Sequence, residues 1–504
     1  MAYINLHGCV IPKTLITAQD IQKIKQELTV KPEVSKNHPN PYAVPSFPVY
    51  LENDSKLYVP RNWALNRGPP IPPIQKQSSL VAIAANGCKP YAKMSERVAF
   101  KGNLKEDQKE PVAVCLQALK DERKQGGILS LKCGQGKTIC ALWLAVQLRA
   151  KTLIIVHKTF LMNQWIERIQ QFLPLAKIGR IQQKTVDIEG KDIVIGMLKS
   201  IAMCKYKTDL FDSFGFTIID EVHNIAAEVS SRALFKVNTR YHLGLSATPD
   251  RQDKLENVFK WHIGEVIYAR KQEINGLAPV ICVYYYHGKD IGFTASESDE
   301  EANAKTVTNK YGKQQKMVNI PKMITKICKN ENRNDFITTI IKSLVQDSRR
   351  VLVLSERIEH LEILQQLLAD SKIKHPTQKQ LSALYIGRTT EQERYDSEDA
   401  GVIFGTLRLI KEGYDNPRLD TLIFASFNGG PTSGKHETEG SLEQTMGRIF
   451  RKTHTEKHPM IIDISDQYSA FTRQGARRTA YYKKQKDYIV RRFTVKNNEI
   501  TELK

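Results

Sequence analysis

A glycine-rich segment at residues 131–138 has the clearest capacity for chemistry in this chain. It reads Leu-Lys-Cys-Gly-Gln-Gly-Lys-Thr, follows a short apolar run and precedes residues that are apolar at helical spacing. A strand, a glycine loop and a helix in this order form the setting in which a Gly-Lys-Thr sequence binds phosphate. Gly134 and Gly136 would let backbone N–H groups turn toward an anion at the helix N-terminus. Lys137 could then reach the β- and γ-phosphates of a nucleotide, while the Thr138 hydroxyl ligates Mg²⁺.

The segment departs from the usual phosphate-loop pattern at its first position, because Leu131 stands where a glycine is usual. A glycine-containing turn before a core helix is therefore the alternative interpretation. The flanking strand and helix patterns favour the phosphate loop. Its predicted nucleotide-binding residues are Cys133, Gly134, Gln135, Gly136, Lys137 and Thr138.

Two adjacent carboxylates, Asp220 and Glu221, directly follow the apolar run 216–219 and precede Val222 and His223. Asp220 would hold Mg²⁺, and Glu221 would orient the attacking water. An Asp-Glu pair alone is a weak signal, because helices contain many of them. After a buried strand and downstream of a phosphate loop, the pair indicates hydrolysis of a nucleoside triphosphate.

Two arginines near the C-terminal end of the chain are the third candidate group. Residues 444–451 read Gln-Thr-Met-Gly-Arg-Ile-Phe-Arg, which places Arg448 and Arg451 three apart on one face of a predicted helix. A surface charge pair is the alternative. The functional interpretation is an arginine finger, a guanidinium that stabilises the charge developing on the γ-phosphate.

The elements that must position these groups form two α/β patterns. In the first pattern, β-like runs at 128–132, 152–156, 192–197, 216–220 and 241–246 alternate with helical stretches. Such alternation predicts a parallel sheet covered by helices on both faces, with ligands at the carboxyl ends of its strands. The phosphate loop, the acidic pair and 246–248 each follow a strand, so we expect them to meet at one edge.

A second α/β pattern follows an irregular segment. It has strands predicted at 350–355, 381–386, 401–405, 420–426 and 459–464, helices at 358–369 and 442–450, and no glycine phosphate loop of its own. The predicted divisions are an N-terminal accessory domain, an ATP-binding domain, a linker with an insertion at 296–316, a second α/β domain and a tail, with limits 1–95, 96–268, 269–330, 331–487 and 488–504.

The N-terminal domain combines a predicted helix at 19–28 with a proline-rich region that blocks continuous helix. Trp63, with Arg61 and Arg67, could stack on nucleic acid and neutralise its charge. A tryptophan that anchors a proline-rich loop is the other interpretation.

Composition narrows the class of protein. A chain of 504 residues suggests roughly three domains, and a formal net charge of +21 favours a polyanionic partner such as nucleic acid. No charge-free apolar run approaches the ~18 residues needed to span a bilayer, and the N-terminus does not resemble a signal peptide. The eight cysteines include no Cys-x-x-Cys pair, which argues against zinc ribbons and disulfides. We therefore expect a soluble, intracellular protein.

The ordered motifs GQGKT, DEVH, SATP and QTMGRIFR resemble those of superfamily-2 helicases and translocases. The match is closest to the XPB/UvsW branch, which includes the transcript-release helicases of poxviruses and related large DNA viruses. Residues 155–165 resemble motif Ia of that branch, and 412–415 with Thr406 resemble motif V. The resemblance implies two tandem RecA-like parallel-sheet domains, ATP and Mg²⁺ as cofactors, and nucleic acid bound through its backbone. It further implies a role in viral transcription with the transcription machinery as partner, in host cytoplasm, viral factory or virion.

The resemblance also assigns residues by position. Gln108 and Gln444 become candidates for nucleotide contact, although this chain has Lys105-Glu-Asp-Gln108 where the family usually has Arg-x-Tyr-Gln. The aromatic ring before the glutamine is therefore missing. Residues 251–253 read Arg-Gln-Asp where the branch has Arg-Glu-Asp. The predicted nucleic-acid contacts and coupling residues are Lys158, Ser200, His223, Ser246, Thr248, Ser355, Thr406, Glu412 and Asp415.

Two other functions remain as alternatives. The chain could be the motor of a nuclease machine, but 1–95 and the tail contain no Asp…Glu-x-Lys arrangement. It could be a non-unwinding remodelling or scaffold protein, although the presence of Lys137, Asp220, Glu221 and Arg451 argues against a decayed motor. The sequence leaves open DNA or RNA preference, polarity, unwinding or annealing, and pathway.

Overall fold

The structure is a computed structural model of the 504-residue chain. The residues that it describes are 3–5, 7–33, 45–66, 90–122, 124–132, 134–207, 209–237, 239–247, 255–270, 276–288, 304–308, 314–411, 414, 416–426, 442–443, 445–450, 452–468, 470–496 and 499–503. They fall into two compact units, the first ending at Lys271 and the second running from Gln272 onward.

The first unit begins with a small antiparallel module, hereafter the N-terminal module (residues 3–66). Its sheet has the order β1-β2-β6-β5, and β3 pairs with β4 separately. The N–H of Asp20 donates to Thr17 Oγ1 at the start of the first helix, in a capping box that confirms the helix predicted at 19–28. The elements are β1 (Tyr3–Asn5), β2 (Gly8–Pro12), α1 (Ala18–Glu27), β3 (Thr29–Val30), β4 (Phe47–Pro48), β5 (Leu51–Glu52), β6 (Lys56–Val59) and α2 (Arg61–Asn66).

Arg61 attaches this module to the rest of the first unit. The residue is only 1% exposed, and its guanidinium donates to the carbonyl oxygens of Thr239 and Arg240, at 3.1 and 3.0 Å, and to the side chain of Gln125. Trp63 is likewise buried and donates to Glu27 Oε1 at 3.0 Å. Because both side chains are buried, neither Trp63 nor Arg61 is available to stack on nucleic acid, which contradicts the stacking interpretation for these two residues. Arg67 and the proline-rich region that follows it lie outside the described residues.

Replacing Arg61 by alanine is expected to destabilise the first unit, because three acceptors, two of them buried, would lose a charged donor. The expected loss is about 3 kcal/mol, or a fall of about 5–10 °C in the melting temperature of a unit of this size. Differential scanning fluorimetry measures it, with Lys23→Ala, at an exposed position on α1, as the control. Weaker nucleic-acid binding with an unchanged melting temperature would contradict the anchoring role.

The remainder of the first unit is an eight-stranded sheet in the order β10-β9-β11-β8-β12-β13-β7-β14, parallel except for the β9–β10 pair. Its strands are β7 (Gly126–Ser130), β8 (Thr152–Val156), β9 (Ile178–Gln182), β10 (Thr185–Asp187), β11 (Ile193–Met197), β12 (Phe216–Ile219), β13 (Tyr241–Ser246) and β14 (Val266–Ala269). Its helices are α3 (Glu106–Lys120), α4 (Lys137–Leu148), α5 (Thr159–Phe172), α6 (Leu198–Met203), α7 (Glu228–Ser231) and α8 (Glu256–Ile263).

Neighbouring residues of each strand in this sheet pack into opposite cores. Leu129 and Ile154 belong to one buried cluster, whereas Ile128 and Ile155 belong to another. Because successive side chains of a strand point to opposite faces, this alternation identifies a sheet covered on both sides. The predicted α/β class is confirmed for this unit.

The second unit contains another eight-stranded sheet, in the order β19-β20-β18-β21-β22-β15-β23-β24, parallel except for the β23–β24 pair. Its strands, with those of a separate hairpin, are β15 (Val280–His287), β16 (Ala304–Thr308), β17 (Gln314–Val318), β18 (Val351–Ser355), β19 (Ser382–Tyr385), β20 (Val402–Thr406), β21 (Thr421–Phe424), β22 (Met460–Asp466), β23 (Ile489–Lys496) and β24 (Glu499–Leu503). Its helices are α9 (Ile320–Cys328), α10 (Glu331–Gln346), α11 (Ile358–Asp370), α12 (Glu391–Ser397), α13 (Leu407–Lys411) and α14 (Ala470–Lys484).

This second sheet includes residues outside the predicted second domain. β15 lies between β22 and β23 although it falls within the predicted linker 269–330, and β23–β24 fall within the predicted tail 488–504. The insertion at 296–316 contains most of the β16–β17 hairpin. Two RecA-like sheets and a small N-terminal domain agree with the predicted architecture, whereas the domain limits stay predictions.

Candidate nucleotide site

The carboxyl edge of the first sheet brings the phosphate loop and the acidic pair close together. β13 lies between β7 and β12, with Ser246 paired to Ser130 and Gly244 paired to Ile219. The phosphate loop continues from Ser130, and the acidic pair follows Ile219. Both groups therefore leave the sheet at the same edge, on strands separated only by β13.

The phosphate loop has the backbone that its glycines predict. Gly134 and Gly136 have φ angles of +86° and +81°, in the left-handed region where a glycine costs no strain. Helix α4 begins at Lys137, so its first N–H groups face the space that the loop surrounds. Lys137 Nζ donates to the Leu131 carbonyl oxygen at 2.8 Å. Cys133 lies outside the described residues.

Gln108 packs directly on this loop. It is 3% exposed and lies in the first turn of α3, and its Nε2 is the atom that a Cβ added to Gly136 would strike. Gln108 Oε1 accepts the Lys105 N–H at 3.0 Å. Gln108 was assigned by resemblance alone, and the structure places its side chain against Gly136 of the phosphate loop.

Replacing Gly136 by alanine is expected to weaken ATP binding by about 10- to 100-fold. The new methyl group would displace Gln108, and a left-handed φ costs an alanine roughly 1–2 kcal/mol. Gly190→Ala is the matched control, because Gly190 also has a positive φ, +62°, but has open space around its Cα. Isothermal titration with ATP measures both variants. Equal affinities in Gly136→Ala and wild type would contradict this packing.

Asp220 is held by a residue that sequence reasoning did not assign. Trp165 Nε1 donates to Asp220 Oδ2 at 2.9 Å, and the Glu221 N–H donates to Oδ1 at 3.0 Å. Burial raises the pKa of Asp220 to about 6, and the Glu221 carboxylate adds to the rise, while Trp165 and Lys137 oppose it. In the sequence, Trp165 is only the last residue of the stretch that resembles motif Ia, and no local pattern connects it to Asp220.

Glu221 lies in a strained backbone position. Its φ of +48° and ψ of +59° are left-handed, a conformation that costs a non-glycine residue of order 1–3 kcal/mol and recurs at functional sites. Its Oε2 lies 3.5 Å from His223 Nδ1, and Asn224 Nδ2 donates to its carbonyl oxygen at 3.0 Å. Asn224 was also missed, since a single asparagine after the acidic pair carries no signal.

The other predicted site residues of the first unit lie on or near the same edge. Lys158 is the N-cap of α5, just after β8. Ser246 is fully buried at the end of β13, and Ser200 is 7% exposed with its Oγ accepting the Gln183 N–H at 2.9 Å. Thr248 lies outside the described residues, as do residues 251–253.

In the second unit, Ser355 and Thr406 end neighbouring strands, where they pair in register. Ser355 is completely buried, with its Oγ 2.9 Å from His360 Nδ1 and 2.8 Å from Ser426 Oγ. Its side chain is therefore not accessible to a phosphate backbone in this structure, unlike the contact that the resemblance implied. Thr406 is half-buried.

Arg448 is 5% exposed, and its Nη1 donates to the Tyr414 carbonyl oxygen at 2.9 Å within the second unit. It lies in a turn, residues 447–449, and not in the predicted continuous helix. The remaining predicted residues of this unit, Glu412, Asp415, Gln444 and Arg451, lie outside the described residues.

The donor set at the nucleotide edge fits Mg²⁺. Thr138 offers a hydroxyl and Asp220 a carboxylate, both oxygen ligands. Mg²⁺ takes one or two protein carboxylates together with substrate phosphates and waters. Among the described residues there is no cluster of three or more His, Cys, Asp or Glu side chains that could hold a metal.

The helices in the described part of the chain are all too short or too polar to span a membrane.

Comparison with known proteins identifies the family. Residues 101–251 match the family model described as type III restriction enzyme, res subunit. One relative is the Acanthamoeba polyphaga mimivirus protein named "Putative ATP-dependent RNA helicase L396". It is 30% identical over 495 residues, which cover 98% of this chain and 87% of L396. The chain is a superfamily-2 helicase.

One further relative agrees with this family, and one solved structure is also similar to the chain. The relative is the Invertebrate iridescent virus 6 protein named "Putative helicase 161L". It is 29% identical over 406 residues, which cover 76% of this helicase and 82% of 161L. The crystal structure of T4 UvsW aligns over 95% of this helicase and 96% of UvsW, at 15% identity and a TM-score of 0.34. Membership makes this helicase an ATPase that depends on nucleic acid.

Proposed function

We propose that this helicase hydrolyses ATP at the carboxyl edge of its first sheet and uses the energy to move along, or separate, strands of DNA. The observation that carries the proposal is the convergence of Lys137, Asp220 and Glu221 at that edge. These are the groups that phosphoryl transfer to water requires: a cation for the phosphates, a metal ligand and a base.

Each residue has a defined task in this proposal. Lys137 exchanges the Leu131 carbonyl for the phosphates, and the N–H groups at the start of α4 donate to phosphate oxygens. Thr138 and Asp220 would hold Mg²⁺, which when bound neutralises phosphate charge. Glu221 accepts a proton from the attacking water, while Trp165 keeps the Asp220 carboxylate in one orientation. Gln108 contacts the base.

Binding to nucleic acid would depend mainly on phosphate contacts. The net charge of +21 supplies attraction without sequence preference, which suits a motor that acts at any position. Lys158 and Thr406 are the proposed backbone contacts among the described residues. The N-terminal module is attached through residues that precede β7 and β13, at the edge of the sheet opposite the phosphate loop. The proposal therefore does not include this module in the nucleic-acid binding surface.

The proposed biological role is transcript release in a large DNA virus, with the transcription machinery as partner. Its support is the resemblance of the motifs to the XPB/UvsW branch together with the viral origin of L396 and 161L. RNA is the second candidate substrate, because L396 is named for activity on RNA.

A substrate panel tests the proposal. ATP turnover and strand displacement are measured with single-stranded DNA, single-stranded RNA, DNA duplexes, forks and RNA–DNA hybrids. We expect DNA to stimulate turnover most, and log affinity to fall with log salt by roughly 0.7 per phosphate contact on single strands. Greater stimulation by RNA would favour the second candidate, and no turnover with any substrate would refute both.

A further inference from the structure

Helix α3, which presents Gln108 to the phosphate loop, contains a proline that removes one of its own hydrogen bonds. Pro111 is buried inside the helix. In an α-helix the N–H of residue 111 would donate to the carbonyl of Asp107, but proline has no N–H, and its ring pushes that carbonyl aside. The first turn of α3, which includes Gln108, is therefore tied less firmly to the rest of the helix.

Arg270 supplies the missing hydrogen bond from another element. Its Nη1 donates to the Asp107 carbonyl oxygen at 2.6 Å, and its Nη2 to Glu110 Oε2 at 3.1 Å. The Tyr268 hydroxyl donates to the same Glu110 oxygen at 2.7 Å and accepts from Arg270 Nη2 at 2.7 Å. The Arg270 side chain is 23% exposed, whereas the Glu110 side chain is 69% exposed. The ion pair with Glu110 is exposed and contributes little. The bond to Asp107 matters for another reason, because it fills the acceptor that Pro111 leaves without its helical donor.

These contacts form a closed path from the start of the phosphate loop to Gly136. The Arg270 N–H donates to the carbonyl oxygen of Ser130 at 3.1 Å, at the point where β7 enters the phosphate loop. From there the path runs through the Arg270 side chain to Asp107, to the adjacent Gln108, and through Gln108 to Gly136 of the loop. Arg270 follows β14, the edge strand next to β7.

We propose that Arg270, supported by Tyr268 and Glu110, is a latch that positions Gln108 for recognition of the nucleotide base. The latch acts through the Asp107 carbonyl that Pro111 leaves open. It rests on the proposed role of Gln108 in ATP binding, and it makes Arg270 a positioning residue that need not touch the nucleotide.

The test compares Arg270→Ala with Arg270→Ala/Pro111→Ala. Arg270→Ala should weaken ATP binding about tenfold, the effect expected from one bond to a charged donor. Its affinity for inorganic tripolyphosphate, which needs only the loop and Lys137, should stay within about twofold of wild type. Pro111→Ala restores an N–H for the Asp107 carbonyl, so the double variant should regain most of the ATP affinity. Arg149→Ala is the matched control, because Arg149 also donates to backbone carbonyls but lies at the far end of α4.

Hydrogen exchange of residues 106–110 gives an independent readout without nucleotide. We expect faster exchange in Arg270→Ala, and a return toward wild type in the double variant. Unchanged exchange, equal losses for ATP and tripolyphosphate, or no rescue by Pro111→Ala would overturn the latch. Faster exchange with unchanged ATP affinity would instead refute the role of Gln108 in base recognition, and absence of ATP turnover in wild type would refute the proposed function. Should Arg270→Ala not fold, Tyr268→Phe should shift exchange and ATP affinity in the same direction by about two- to threefold.

Discussion

Glu221→Gln is expected to lower ATP turnover by about 10²–10⁴, the contribution typical of a positioned general base. Glutamine keeps the size of the side chain but cannot accept the proton of the attacking water. Because the phosphate loop and Asp220 are untouched, ATP should bind about as tightly as in wild type. Single-turnover hydrolysis in the presence of nucleic acid measures the chemical step, and equilibrium titration measures ATP affinity.

Lys137→Ala separates binding from chemistry in the same experiment. The variant removes the ammonium group that donates to the Leu131 carbonyl oxygen and that would donate to the phosphates once ATP binds. ATP affinity should therefore fall together with turnover. Nucleic-acid affinity should survive in both variants, because the basic surface is unchanged. A Glu221→Gln enzyme that turns over at the wild-type rate would assign the base to another residue.

Arg451→Ala is expected to reduce turnover by about 10³–10⁵, the range for an arginine finger. The phosphate loop and both carboxylates belong to the first unit, so charge developing on the γ-phosphate needs a donor from elsewhere. The described residues of the second unit include no phosphate loop. Of its two predicted finger residues, Arg448 already donates to Tyr414. We therefore propose Arg451 as the finger. ATP affinity should change much less than turnover.

Arg451→Lys tests whether the charge alone is sufficient. Lysine keeps the charge but loses the planar fork that contacts two oxygens at once, so turnover should remain far below wild type. Arg448→Ala should act through the fold of its own unit and lower the melting temperature, while Arg451→Ala should leave melting unchanged. A full hydrolysis rate in Arg451→Ala would remove it from the chemistry.

Local sequence predicted much of the first sheet and little of its periphery. All five predicted strands of that sheet are present, because β-branched runs separated by helical stretches specify buried parallel strands. β9, β10 and β14 were not predicted, and they lie at the two edges of the sheet. β15 was read as linker, although its sequence, Val-Ile-Cys-Val-Tyr-Tyr-Tyr-His, is strongly β-forming. Its place between β22 and β23 depends on pairing with segments far away in the chain.

The sequence by itself predicted the chemistry, from a glycine loop with Lys137 and an acidic pair after a strand. These signals are local, because backbone sterics and strand-to-helix order act over a few residues. Only the tertiary structure decided what holds the groups in place. Trp165 and Asp220 are 55 residues apart, and Arg270 and Asp107 are 163 apart. Such pairs form when strand order and helix packing bring them together, and no periodicity in the chain encodes them. The same reason explains why Ser355 was expected at a phosphate and is found inside a buried network.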